Sequence, residues 1–352
     1  MASLLLPIIY LAFISLGLPD ALLGAAWPTM YPQLGAQVSW AGGVSMIISA
    51  CTILSALASD RLNERLGTGR VTAISAATTA AALFGFSFCH AFWQLCLWAI
   101  PYGLGAGSVD AALNNYVALH YKSRHMSWLH CMWGVGASLG PVIMGQALAG
   151  SGWQGGYRII GILQVVLTVV LLFSLPLWKL PQDAMGGAPF TPQHRSFPEL
   201  LKITGVPEVL VCFLCYCALE STAGMWASSY CTLVRGLDAQ TAASWASLFY
   251  LGITAGRFVS GFLTMKMSDR NMIRLGQVLI ALGILLVLLP AGNNVLFVGL
   301  ILIGLGCAPV YPCIIHETPV NFGRELSMSM TGLQMAFAYV GSWYGHGTCS
   351  QR

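Results

Sequence analysis

Eleven stretches of about 20 mostly apolar residues follow one another along this chain, and that run decides what it can fold into. They lie at about 4–27, 38–58, 71–90, 93–117, 128–149, 157–178, 206–232, 242–264, 272–290, 294–316 and 325–345. An α-helix rises 1.5 Å per residue, so roughly 20 such residues cross the hydrocarbon layer of a bilayer. Lipid offers no hydrogen bonds to the backbone, and a helix satisfies its own. Only 8% of the 352 residues are charged and 57% are hydrophobic, against about 25% charged in a soluble domain. The expected fold class is therefore an all-α polytopic membrane protein. Its spans are rich in Gly, Ala and Ser, which let helices approach closely in lipid. The first apolar run lacks a basic leader and contains Asp20, so it reads as a retained span and not as a cleaved signal peptide.

Charge placement orients the chain. Twelve of the sixteen Lys and Arg follow even-numbered spans, among them Arg61, Arg65, Lys122, Arg124, Lys202 and Arg270; the opposite connections hold only Arg158 and Arg235. By the positive-inside rule the N-terminus and the even-numbered connections are cytoplasmic, and the expected location is the plasma membrane. Two connections stand out, 59–70 and 179–205. The second carries Pro181, Pro189, Pro192 and Pro198 and reads as a linker. The expected organisation is a transmembrane repeat at 1–178, a cytoplasmic linker at 179–205 and a second transmembrane repeat at 206–352.

The two halves resemble each other at an offset of about 200 residues. Ser59-Asp60-Arg61 matches Ser268-Asp269-Arg270, and Gly103-Leu104-Gly105 matches Gly304-Leu305-Gly306. Asp20, Gly24, Trp27 and Tyr31 match Glu220, Gly224, Trp226 and Tyr230. Parallel repeats of this kind place a solute site near the bilayer midplane.

Ionisable groups inside spans are the informative ones, since a charge at a helix centre costs about 2.5–3.5 kcal/mol on insertion scales. Asp20, Asp110, Glu220 and Arg257 qualify. Asp20 shares a helical face with Trp27 and Tyr31, which suits a cavity for a hydroxylated solute; a packed aromatic face is the alternative. Asp110 faces Asn114, with Asn115 next to it, and the two amides are candidates for solute binding. A buried carboxyl holds a proton more readily than an exposed one, so Asp20, Asp110 and Glu220 are candidates for proton coupling. Structural hydrogen-bond clusters are the alternative. His130 and Trp133, beside Gly134, Gly136 and Gly140, are candidates for solute binding together with Trp226 and Tyr230. Asp60, Arg61, Arg257, Asp269 and Arg270 read as structural or gating residues. Glu317 lies near a span end, within reach of water.

Other chemistries leave no trace in the pattern. There is no Walker glycine loop with its lysine, no HExxH and no paired CxxC, and the GxSxG at Gly136–Gly140 lies inside an apolar span and not at a strand-to-helix turn. ATP, a resident metal, another cofactor and enzymatic catalysis are therefore not expected. Cys212, Cys215 and Cys217 read as small apolar residues. The formal net charge of +4 is dispersed, which argues against nucleic acid as a partner.

The stretch from Gly103 through Asp110 to Asn115 resembles the fourth span of the fucose:proton symporter family, within the major facilitator superfamily. Pro19-Asp20-Ala21-Leu22-Leu23 resembles its first span and Cys215-Tyr216-Cys217-Ala218-Leu219-Glu220 its seventh. Gly256-Arg257-Phe258 and Tyr311-Pro312 resemble its eighth and tenth. The resemblance implies a major facilitator fold, with two six-helix repeats of which the last helix is missing here. It also implies alternating access and proton-driven symport of a sugar by a monomer, with Asp20 and Asp110 in the coupling roles. Trp133 stands where that family has asparagine, and Tyr116 where it tends to have proline, so the solute stays open. An exporter of amphipathic compounds and a truncated, non-transporting membrane protein remain alternatives.

Overall fold

The computed structural model describes residues 2–20, 22–37, 39–179, 193, 195–237 and 239–347. Helices α1 (Ala2–Asp20) and α2 (Leu22–Gln33) together make the first span. Then come α3 (Trp40–Leu66), α4 (Thr68–Ser87), α5 (Phe92–His120), α6 (Ser123–Leu148) and α7 (Gly152–Ser174), which ends in a 3-10 turn at Leu175–Lys179. After a short α8 (Phe197–Leu200) follow α9 (Val206–Leu233), α10 (Ala239–Leu263), α11 (Asp269–Leu288), α12 (Asn293–Phe322) and α13 (Ser327–Gly347). No strand occurs among the described residues. Each expected span has its helix, and among the described residues seven of them are long and apolar enough to cross a membrane by length and composition alone. Most of the expected linker, and residues 348–352, lie outside the described residues.

The helices outrun the apolar stretches that announce them. The connection expected over 59–70 is helical to Leu66 and breaks only at Gly67, where φ is 78°. Its charged residues Arg61, Glu64 and Arg65 are good helix formers once out of lipid, and no glycine or proline interrupts them earlier.

The chain forms two compact units. One comprises Met1–Tyr116, Met132–Arg195 and Gly323–Ala336; the other comprises Val117–Cys131, Ser196–Phe322 and Phe337–Arg352. The core of the first unit gathers Leu22, Trp27, Met30, Leu83, Phe86, Tyr102, Trp153 and Tyr157. In it α1 and α6 touch backbone to backbone. A Cβ on Gly17 would lie 2.2 Å from the Trp133 carbonyl oxygen, and one on Gly136 would lie 2.0 Å from that of Ile14. Such contacts exist only because these positions lack side chains.

Matching glycines do matching work in the two units. Gly103 of α5 lies against the Ile48 carbonyl of α3, where a Cβ would come within 2.4 Å; Gly304 of α12 lies against the Phe249 carbonyl of α10, at 2.2 Å. Gly105 faces Ser75 of α4, and Gly306 faces Gly276 of α11. The internal repeat read from the sequence is thus a repeat of helix contacts.

Candidate functional site

The α1–α6 contact sets up the first constellation. Asp20 comes one turn after Gly17, and Gly17 rests on the Trp133 backbone. That register brings the Trp133 indole to Asp20, where Nε1–H donates to Oδ2 at 2.8 Å. From α5, the Tyr102 hydroxyl donates to Oδ1 at 3.3 Å, and the Tyr102 ring is fixed against Phe86 with centroids 6.1 Å apart. Asp20 is near the middle of the 30-residue span Leu4–Gln33, and its side chain is nonetheless exposed. A carboxylate accepts only, whereas its protonated form also donates. Both protein donors are neutral, so the group can take up a proton without stranding a cation. The same oxygens keep acceptor capacity for a solute hydroxyl.

A second constellation occupies the other unit. Arg257 of α10 is buried and its Nη2 lies 3.3 Å from Glu220 Oε1 of α9, whose side chain is partly open. Tyr216, one turn before Glu220, donates its hydroxyl to the Cys307 carbonyl at 2.8 Å. Tyr311 stacks near Phe213 and meets the buried His130 edge-on, with ring centroids 4.7 Å apart in each case. Here the acid faces a permanent cation.

The Major Facilitator Superfamily profile matches residues 9–345. The chain belongs to that superfamily. A probable nitrate/nitrite antiporter of Thermus thermophilus, NarK1, is 28% identical over 304 residues, which cover 78% of this chain and 66% of that protein. The chain spans 66%, 56% and 53% of the lengths of three curated relatives. Among solved structures, the E. coli fucose:proton symporter FucP superposes with a TM-score of 0.76 at 17% identity, covering 99% of this chain and 90% of that one. The proton:xylose symporter XylE gives 0.74 at 11%, covering 98% and 87%. At these identities the likeness establishes the fold. This superfamily member is thus an all-α, multi-pass membrane protein with the major facilitator fold.

The remaining candidates of this superfamily member fall in different places. Asn114 is fully buried and donates to Asp110 Oδ1 at 2.8 Å and to its carbonyl at 3.0 Å, so the i,i+4 pair read from sequence forms. Asn115 is buried too and accepts from Ser327. Trp27 is packed into the apolar core, 6.4 Å from the Tyr31 ring and 6.5 Å from that of Phe92. His130 and Trp133, neighbours on α6, belong to different units. Tyr230 gives its hydroxyl to the Val287 carbonyl at 3.0 Å. The Trp226 side chain lies outside the described residues. Asp60 accepts from Ser329 and Asp269 from Ser123, while Arg61 and Arg270 are exposed.

Three polar residues in these clusters escape a reading confined to charges in spans. Tyr102 and Tyr216 are buried phenols, and a buried phenol implies a hydrogen-bond partner. Gln164, in a long apolar helix, donates to the Ser15 carbonyl at 2.7 Å and ties α7 to α1. In each case the signal was a neutral polar group in a long apolar run.

Proposed function

We propose that this chain is a secondary transporter of a small, neutral, hydroxylated solute, a sugar or a close analogue, carried with a proton by alternating access in a plasma membrane with its N-terminus in the cytoplasm. Asp20 carries the reading: an exposed carboxylate near the middle of a span, held by one indole N–H and one phenol O–H. Such a group suits a cycle of proton binding, solute binding and release, because its neutral partners tolerate both of its charge states. Asp110, amide-paired with Asn114, is the second coupling candidate. The names of FucP and XylE, a fucose:proton and a proton:xylose symporter, support the same solute class and driving force. The NarK1 relative is named for small anions, which call for a cation in the site. The buried cation here, Arg257, already faces Glu220, and this favours a neutral solute.

The test is uptake of labelled monosaccharides by the full chain in proteoliposomes, with and without an acidic exterior. Accumulation above equilibrium only when the gradient is present supports symport. Nitrate accumulation without sugar uptake would replace the solute class, efflux of amphipathic dyes would reverse the direction, and no flux of any kind would leave a membrane protein that does not transport.

A further inference from the structure

The end of the second unit where α11 begins holds an arrangement whose protons do not add up unless one extra is present. The His316 ring of α12 bridges two acceptors. Its Nε2 lies 3.1 Å from the Tyr121 carbonyl oxygen and its Nδ1 2.6 Å from Asp269 Oδ2. The other carboxylate oxygen, Oδ1, accepts from the Ser123 hydroxyl. A carbonyl oxygen only accepts, so Nε2 must carry a hydrogen. An ionised carboxylate also only accepts, so Nδ1 needs a hydrogen as well, or else Oδ2 must be the protonated atom and donate to Nδ1. In both distributions the pair holds one proton more than a neutral imidazole beside a carboxylate. Without it a lone pair faces a lone pair across 2.6 Å, and the ring keeps either Tyr121 or Asp269 but not both.

We infer that Asp269 and His316 form a proton-binding site that fastens the α5–α6 connection, through Tyr121 and Ser123, to α11 and α12. When the proton leaves, the fastening weakens and the connection comes free. This proton is separate from the one assigned to Asp20, because it lies at a helix start and binds connection to helix, whatever solute is carried. The groups acting on the pair are Asp269 on α11 and Cys313 and Glu317 on α12, while Lys122, Arg124 and His125 neighbour Tyr121 and Ser123 in sequence on the connection and the start of α6. Of these, His316 and Asp269 share the short bond, and histidine is the side chain whose charge ordinarily changes near physiological pH. The first unit supplies a counterpart without the imidazole. Asp60, in the matching Ser-Asp-Arg, accepts from Ser329; the residue matching His316 is Asn115, an amide that accepts from Ser327.

Cys313 is fully buried beside Asp269 and reports on the fastening. The full chain in nanodiscs is treated with N-ethylmaleimide, and the rate at Cys313 is normalised at each pH to that of the denatured chain, which removes the thiol's own titration. In the wild type the normalised rate rises with pH by up to about tenfold per unit, the limit for one linked proton, across the range near neutrality where histidine titrates. Asp269→Asn separates this from a merely structural contact. Its Oδ1 still accepts from Ser123 and its Nδ2 donates to a neutral His316, so the fastening needs no extra proton. The expected result is a Cys313 that stays protected at every pH. A flat wild-type profile, or an Asp269→Asn chain labelled quickly at all pH values, overturns the inference. Should Asp269→Asn fail to fold, His316→Asn, which copies the first repeat, must likewise lose the pH dependence; its persistence there overturns the inference equally.

Discussion

Asp20 and Glu220 hold matching places in the two repeats, yet their carboxylates keep opposite company. Asp20 meets the indole N–H of Trp133 and the hydroxyl of Tyr102, both neutral, and is exposed. Glu220 meets the guanidinium of a buried Arg257. Protonating Asp20 alters one charge next to two neutral donors, of which the Tyr102 hydroxyl can turn to accept from the new O–H. Protonating Glu220 leaves Arg257 as a buried cation without its counter-charge, which costs several kcal/mol. The repeats share their helix contacts, down to the glycines, and differ in whether the acid meets neutral donors or a cation. On the reading proposed above, the first unit carries the proton and the second uses its acid to hold a cation in place.

The largest effect should come from removing the free acid. Asp20→Asn keeps the size of the side chain and its acceptor oxygen but cannot carry a proton. One proton moving through 100 mV supplies about 2.3 kcal/mol, or about fiftyfold accumulation. We expect the variant to lose that accumulation while still exchanging labelled for unlabelled solute across the vesicle. Accumulation at the wild-type level would move the coupling role away from Asp20, with Asp110→Asn the next variant to assay.

Glu220→Gln probes the other side of the comparison. It leaves Arg257 buried beside a neutral amide, and thermal unfolding in detergent should show a loss of about 3 kcal/mol. Exchanging Arg257 for methionine in the same chain should recover most of it, since the stranded charge is then gone. Gradient-driven uptake should persist in whatever fraction of the single variant stays folded. A Glu220→Gln chain as stable as the wild type, but unable to accumulate solute, would break the division of labour and give Glu220 the proton.

How much of this was readable in the sequence varies with the range of the interaction. The eleven spans follow from hydropathy, because lipid imposes one length and one composition on each helix. The Asp110–Asn114 bond follows from i,i+4 spacing. The Asp20–Trp133 bond does not, because its partners are 113 residues apart. Its precondition was visible only as the glycine series on α6, whose packing against α1 sets the register. Arg257 was readable as a buried or pairing cation, but its partner on α9 was not. His316 had no signal of its own, since a lone histidine in an apolar run gains meaning only from what the fold puts on either side of it. The charged end of α3 was misread as a connection because hydropathy marks where lipid ends, and a helix can continue past that point.

The smallest effects should separate two tyrosines that the sequence placed unequally. Tyr230 was a candidate for solute binding and Tyr102 was not. In the fold Tyr102 gives its hydroxyl to Asp20, while Tyr230 gives its own to the Val287 carbonyl between α9 and α11. Both lose one hydrogen bond on substitution by phenylalanine, worth about 1 kcal/mol. For Tyr102→Phe the loss falls on the carboxylate, so we expect it in uptake, as a change of about fivefold in the external proton concentration that gives half-maximal rate. For Tyr230→Phe it falls on a helix contact, so we expect a melting shift with uptake unchanged at saturating solute. The two variants measured side by side make the comparison sharp. If Tyr230→Phe instead changed solute affinity at unaltered stability, its hydroxyl would belong to the transport site, and the second unit would contribute more to binding than its bonds to the backbone indicate.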